Sequence, residues 1–186
     1  MLAFAYANLP HVLCALLLIA RIGDVGTTFL VTPSLELEAN PIMRKLGWRF
    51  ALLTLAACAL PYLSLPVAVI VLIGSLFVSA SNAAKIWVAR AIGEKAYAAL
   101  LVDAARRSKL SHALLGVAAC SFFIALAGGT ILLFYPRPTA DWGFWLGIGV
   151  LSYAAAVCVH QTLWTMRLFR RAALPREVAG TAQTSA

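Results

Sequence analysis

The chain has 186 residues, of which 62% are hydrophobic and only 12% are charged. Soluble domains carry about 25% charged residues, so this composition excludes an ordinary soluble domain and indicates an integral membrane protein. The net charge of +8 would suit nucleic acid only as a basic face on a polar protein, whereas these basic residues interrupt long apolar runs, so no nucleic-acid partner is expected.

Five apolar runs are candidates for membrane helices, which need about 20 mainly apolar residues each. The sequence predicts an all-α, polytopic transmembrane helical bundle with about five segments: 12–31, 50–63, 66–88, 111–134 and 142–166. Together they predict one transmembrane domain over residues 1–171. The small, polar residues 172–186 are expected to form a disordered cytoplasmic tail.

The second and third segments are separated only by the sequence LPYLSLP, which contains Pro61 and Pro66. Proline disfavours helix interiors and restricts the residue before it, so we expect a tight turn between these prolines. The second segment is then short, and both a full crossing and a re-entrant hairpin fit its length.

The four cysteines lie in separate apolar runs without CxxC spacing: Cys14, Cys58, Cys120 and Cys158. This arrangement is typical of membrane-buried thiols and of neither a zinc site nor a disulfide framework. The sequence therefore predicts no metal site, and it identifies no cofactor.

The basic residues predict the orientation of the chain. They form three groups, after the first, third and fifth segments: Arg44, Lys45 and Arg49; Arg90, Lys95, Arg106, Arg107 and Lys109; Arg167, Arg170, Arg171 and Arg176. The positive-inside rule then places the N-terminus outside and the C-terminus in the cytoplasm. The same residues would meet anionic lipids of the inner leaflet, so the lipid bilayer is an expected partner.

Between the third and fourth segments, apolar and charged residues alternate at helical spacing in the stretch GEKAYAALLVDAARRSKL. Its apolar residues are expected to share one side: Ala96, Tyr97, Leu100, Leu101 and Ala104. This pattern predicts an amphipathic helix, either on the inner leaflet or as a cytoplasmic continuation of the third segment.

Arg21 and Asp24 are charged residues inside the otherwise apolar first segment. A charge at the centre of a membrane helix costs about 2.5–3.5 kcal/mol on insertion scales. Because the two residues are spaced i and i+3, they can form a structural ion pair that neutralises both. Gly23 and Gly26 also permit close approach of another helix. This interpretation needs no ligand.

A functional interpretation starts from where the polar residues converge. The third segment carries four of them at helical spacing, so that they share one face: Ser75, Ser79, Asn82 and Lys85. This face and the cytoplasmic end of the first segment predict a cytoplasm-facing polar site between the two helices. The tentative binding residues are Asp24, Thr27, Thr28, Glu38, Asn40, Asn82 and Lys85. Glu36 is an alternative to Glu38 as the acid of this site.

Part of this site resembles a family of small, uncharacterised prokaryotic membrane proteins, through the following pattern: Asp24-x-x-Thr27-Thr28, then Glu38-x-Asn40-Pro41. The match spans residues 24–41, and Asn82 is similar to an asparagine in the third segment of that family. The resemblance implies a multi-helix protein of a prokaryotic cytoplasmic (inner) membrane with a site at these residues. It implies no activity or substrate.

Three classes of function fit these features. The first is a binding or transport protein, in which a cation or small polar solute would occupy the site. The second is a membrane-embedded enzyme acting on a lipid or lipid-linked substrate at the inner leaflet, with Asp24, Glu38 and His112 as acid–base groups or metal ligands. The third is a structural subunit whose polar groups are satisfied by another membrane protein. In the binding or transport class, copies of the chain would form an oligomer through glycines such as Gly128 and Gly147. No HExxH or GxSxG signature supports an enzyme, so binding ranks first.

Overall fold

A computed structural model describes residues 8–38, 40–137 and 142–174. The described part of the chain is helical and contains no β-strand. Its elements are α1 (Leu9–Val31), α2 (Pro41–Leu46), α3 (Trp48–Leu53), a 3-10 helix (Thr54–Ala59), α4 (Leu60–Leu63), α5 (Leu65–Ile92), α6 (Glu94–Arg107), α7 (Leu110–Phe134) and α8 (Trp142–Ala173). Four helices, α1, α5, α7 and α8, are long and apolar enough to cross a membrane. They correspond to the first, third, fourth and fifth predicted segments, while most of the predicted tail lies outside the described residues.

The second predicted segment is a continuous but shorter helical stretch, Trp48–Leu63, built from α3, the 3-10 helix and α4. It runs antiparallel to α1 along most of that helix. Near one end, the Trp48 ring lies 5.3 Å from the ring of Phe29, and its Nε1–H donates to the carbonyl oxygen of Pro33 at 3.0 Å. Near the other end, the Tyr62 hydroxyl lies 2.7 Å from Nδ1 of His11.

The turn between the second and third segments is smaller than the two prolines predicted. Pro61 lies in the first turn of α4 and Pro66 in the first turn of α5, where a missing backbone N–H costs nothing. Only Ser64, with extended backbone angles, separates the two helices. The reversal therefore occurs at one residue.

The chain also reverses between α1 and α2, and this loop covers one end of the bundle. Thr32 precedes a proline and leaves helical geometry with φ −141°. Asn40 then caps the start of α2: its side-chain oxygen accepts from the backbone N–H of Ile42 at 2.9 Å and of Met43 at 3.5 Å. The cap fixes where the loop ends.

Glycines bring helices together within one chain. A Cβ on Gly128 of α7 would lie 3.1 Å from the carbonyl oxygen of Gly147 in α8, and a Cβ on Gly147 would lie 2.7 Å from Leu132. A Cβ on Gly23 of α1 would lie 3.3 Å from the hydroxyl of Ser79 in α5. Gly128 and Gly147, which the sequence offered as contacts between copies, serve a contact between α7 and α8 within one chain.

α6 is a separate helix, because Gly93 takes φ +83° and ends α5. It packs against the end of α8, where Nε of Arg106 donates to the carbonyl oxygen of Ala172 at 3.1 Å. Its buried face carries Ala98 and Ala105, whereas Leu100 is 51% exposed. The face buried in the protein is thus offset from the predicted apolar side, of which Tyr97 and Leu101 line a cavity of the bundle.

Candidate functional site

A cavity of about 700 Å³ lies among α1, the loop after it, the 43–54 stretch, α5, α6 and α8. We call it the central cavity. Its wall is mostly apolar, but six of the seven tentative binding residues line it together with Arg21: Asp24, Thr28, Glu38, Asn40, Asn82 and Lys85. The seventh, Thr27, does not; its hydroxyl donates to the backbone oxygen of Asp24 at 3.2 Å.

Arg21 holds three elements together at the deep end of the central cavity. Its guanidinium donates to the carboxylate of Asp24, to the hydroxyl of Thr54 in the 3-10 helix, and to the hydroxyl of Ser75 in α5 at 3.4 Å. The Thr54 hydroxyl donates onward to the carbonyl oxygen of Ala51 at 2.6 Å. Both side chains of the Arg21–Asp24 ion pair are only 15% exposed. The pair is embedded in the protein and also lines the cavity.

The polar face of α5 meets α1 directly. Nδ2 of Asn82 donates to the hydroxyl of Thr28 at 2.9 Å. The hydroxyl of Ser79 lies 2.8 Å from the carbonyl oxygen of Ser75 and 3.4 Å from that of Ala20. The polar sides of the first and third predicted segments therefore face each other, which brings residues distant in sequence to one wall.

Two opposite charges of the central cavity are not paired with each other. Nζ of Lys85 hydrogen-bonds the hydroxyl of Ser81 at 3.3 Å, and the Glu38 carboxylate accepts from the backbone N–H of Asn40 at 2.8 Å. Within the described ranges, neither Lys85 nor Glu38 has an ion-pair partner within 4.0 Å. A separated amine and carboxylate thus line one cavity.

Glu94, the first residue of α6, fastens the loop that carries Glu38. Its carboxylate accepts hydrogen bonds from the hydroxyl of Thr32 and from the backbone N–H groups of Ser34 at 3.0 Å and Glu36 at 3.2 Å. Burial raises the pKa of Glu94, but these hydrogen bonds outweigh it and hold the pKa below its ordinary value of 4.5. We call this arrangement the Glu94 clasp.

The clasp also separates the two acids that the sequence left as alternatives. Glu38 lines the central cavity, whereas Glu36 presents its backbone N–H to Glu94.

Sequence reasoning missed Glu94 because most of its partners are backbone groups of a distant loop, which leave no residue pattern. It also missed Thr54 as a partner of Arg21. The α8 residues His160 and Gln161 line the cavity as well.

The metal-ligand set considered for an enzyme is not assembled. His112 lies in the first turn of α7, which packs mainly against α8, and it does not line the central cavity. Across residues 8–38, 40–137 and 142–174, no group of three or more His, Cys, Asp or Glu side chains could hold a metal ion. The combination of Asp24, Glu38 and His112 as ligands is therefore wrong.

Comparisons of the chain with protein families, with curated proteins and with solved structures give no match. The chemistry of this site is accordingly argued from its own geometry.

The ion pair predicts a specific pattern of stability. Asp24→Asn leaves the Arg21 guanidinium without its carboxylate, and we expect it to cost about 3–5 kcal/mol, as for other buried pairs that lose one partner. The double variant Arg21→Met/Asp24→Asn removes both charges and should be more stable than Asp24→Asn alone. Unfolding in a denaturing detergent measures both. A double variant as unstable as the sum of the two single variants would show that the pair is not coupled.

The Glu94 clasp predicts a local and pH-dependent opening. Because the folded pKa is lowered, the clasp stabilises the loop above the ordinary pKa and loses this contribution as the pH falls through the folded value. At neutral pH, Glu94→Gln should accelerate hydrogen exchange at the amides of Ser34 and Glu36 by about tenfold or more. Asp103→Asn is the matched control, since Asp103 of the same helix pairs with Arg107 on its exposed side. Equal exchange in both variants would contradict the clasp.

Proposed function

We propose that this chain is a multi-pass protein of a prokaryotic cytoplasmic membrane whose central cavity binds a small polar organic solute from the cytoplasmic side. One observation carries the proposal: polar residues of α1, its following loop and α5 converge on one cavity of about 700 Å³. Mostly apolar cavities of about 300–1,000 Å³ with a few converging polar groups are typical of small-molecule sites.

Five crossings, with the N-terminus outside, are part of the proposal. The stretch Trp48–Leu63 supports the second crossing, because its α-helical and 3-10 parts together extend about 27 Å, close to the hydrocarbon thickness. Contacts support the orientation. The Glu94 clasp joins the loop after α1 to α6, and Arg106 joins α6 to the end of α8. These contacts gather the described residues of the three basic groups toward one end of the bundle, which the positive-inside rule assigns to the cytoplasm.

An organic solute fits this cavity better than a bare cation. A hard cation prefers several oxygen ligands at short distance. Asp24, the carboxylate within α1, is already bonded to Arg21, and the remaining carboxylate of the cavity, Glu38, accepts a backbone hydrogen bond. The mostly apolar wall instead suits a ligand with carbon as well as polar groups.

Transport of the bound solute and kinship with the Asp-x-x-Thr and Glu-x-Asn-Pro family belong to the same proposal. The enzyme alternative has less support once the metal-ligand set is not assembled, although acid–base chemistry by Asp24 or Glu38 needs no metal. A structural subunit would need its polar groups satisfied by a partner. Against this, Arg21, Asp24 and Asn82 find their partners within the chain.

Thiol labelling tests whether the cavity is wet and faces the cytoplasm. In a background with the four native cysteines replaced by alanine, Asn82→Cys should react with a charged, membrane-impermeant maleimide in inside-out vesicles and be protected in right-side-out vesicles. Ala84→Cys is the matched control, because it lies at nearly the same depth on an exposed face of α5 that lines neither described cavity. Labelling of Asn82→Cys only from the outer face would overturn the orientation.

Ligand stabilisation tests binding itself. We expect ethanolamine or glycerol 3-phosphate at millimolar concentration to raise the Tm of the detergent-solubilised protein, since a ligand that binds only the folded state stabilises it. Gly74→Leu should abolish the shift by filling the cavity: Gly74 lines it, and a Cβ there meets nothing within 4 Å. Gly129→Leu, on α7 with equally open space, lines neither described cavity and should keep the shift. Equal Tm shifts in the unmodified protein and in both variants would contradict the proposed site.

A further inference from the structure

A second cavity of about 540 Å³ lies beside the first, between α5, α7 and α8. We call it the lateral cleft. It exists because α5 and α7 each pack on α8 and leave a gap between them. Its wall is largely apolar and includes small residues on both sides: Ala80, Ala113 and Gly116. A Cβ on Gly116 would meet nothing within 4 Å, so the cleft is open at this point.

The lateral cleft and the central cavity share part of their wall. Four residues of α5 and α8 line both: Ser81, Tyr153, Val157 and Gln161. The Phe77 and Tyr153 rings stack at 4.8 Å with an angle of 19° and border this shared wall. The two spaces are therefore neighbours, and only a small set of side chains separates them.

The depth of the cleft suits the inner leaflet. Its α7 residues from Ala113 to Cys120 belong to the half of α7 that begins next to the basic residues Arg107 and Lys109, and Ile124 lies just past the middle. With the proposed orientation, this is the cytoplasmic half of the membrane. An acyl chain of an inner-leaflet lipid lies at this depth and would cover the apolar wall.

The charges of the central cavity indicate the chemistry of the polar end. The ion pair of Arg21 with Asp24 is internal and contributes no net charge. Lys85 and Glu38 remain as one cation and one anion without ion-pair partners in the described part of the chain. An anionic group beside Lys85 and an ammonium beside Glu38 would complement both, whereas a purely anionic head would leave Glu38 uncompensated.

We infer that the ligand is a membrane lipid with a zwitterionic head: the head occupies the central cavity between Lys85 and Glu38, and an acyl chain lies in the lateral cleft. This inference rests on the proposed function and specifies its ligand class. It also assigns a role to the lateral cleft.

Calorimetric titration of the purified protein in non-ionic detergent tests the inference with three probes: glycerophosphoethanolamine, dioctanoyl phosphatidylethanolamine and dioctanoyl phosphatidylglycerol. The first has the head without chains and the third has an anionic head. We expect dioctanoyl phosphatidylethanolamine to bind about tenfold or more tightly than the head alone, because a few buried methylene groups suffice for that factor. It should also bind more tightly than dioctanoyl phosphatidylglycerol.

Variants separate the two ends of the ligand. Gly116→Leu fills the cleft and should weaken only the chain-bearing lipid, by about tenfold, whereas Gly74→Leu should weaken the head and the lipid alike. Gly129→Leu is the control and should change neither. Glu38→Gln should weaken the phosphatidylethanolamine and spare the phosphatidylglycerol, while Lys85→Gln should weaken both.

Failure of the inference is distinguishable from failure of the proposed function. If the head alone binds as tightly as the lipid and Gly116→Leu changes nothing, the lipid inference is overturned while the binding cavity stands. Tighter binding of the phosphatidylglycerol overturns the zwitterionic head. Absence of binding by all three probes overturns the inference, and the Tm shifts with Gly74→Leu then decide the proposed function independently.

Discussion

The hydrogen bonds of Arg21 are the constraint on which the site depends. A guanidinium within a membrane helix must be satisfied inside the protein, because lipid provides no partner. The two terminal nitrogens of Arg21 find acceptors on three elements: the Asp24 carboxylate of α1, the Thr54 hydroxyl of the 3-10 helix and the Ser75 hydroxyl of α5. Its Nε is buried without a hydrogen-bond partner among the described residues. The planar fork of arginine suits such divergent acceptors, whereas a lysine ammonium offers no fixed fork. One residue thereby joins the helical stretch Trp48–Leu63 to two long helices, α1 and α5.

This arrangement makes the structural and functional interpretations of the ion pair compatible. Asp24 needs no ligand, because Arg21 neutralises it, and yet both residues line the central cavity. Because the Arg21–Asp24 pair carries no net charge, the charges available to a ligand are those of Lys85 and Glu38. Among the described residues, Lys85 bonds a neutral hydroxyl and Glu38 a neutral backbone N–H, so an incoming charged ligand can compete for both side chains.

Helix packing decides where the bundle is closed and where it is open. Gly128 and Gly147 let α7 and α8 approach until backbone atoms nearly touch. α5 reaches α8 through another glycine, since a Cβ on Gly149 would lie 3.2 Å from Ile73. No comparable approach joins α5 to α7 in the described structure, and the lateral cleft lies there. The loop end is closed differently, by the carboxylate of Glu94 gathering backbone N–H groups.

The sequence by itself determined the helical membrane class and the positions of the four long helices, because the length of an apolar run is a local property. It also placed the polar faces of the first and third segments, since residues three and four apart share a side of any helix. Only the tertiary structure decided the reversal at Ser64, the exposed position of Leu100, the use of Gly128 and Gly147 within one chain, and the Glu94 clasp. The prolines indicated a turn but not that a single residue makes it. The other three depend on contacts between residues far apart in the chain, several of them through backbone atoms that every residue shares, so no residue pattern could signal them.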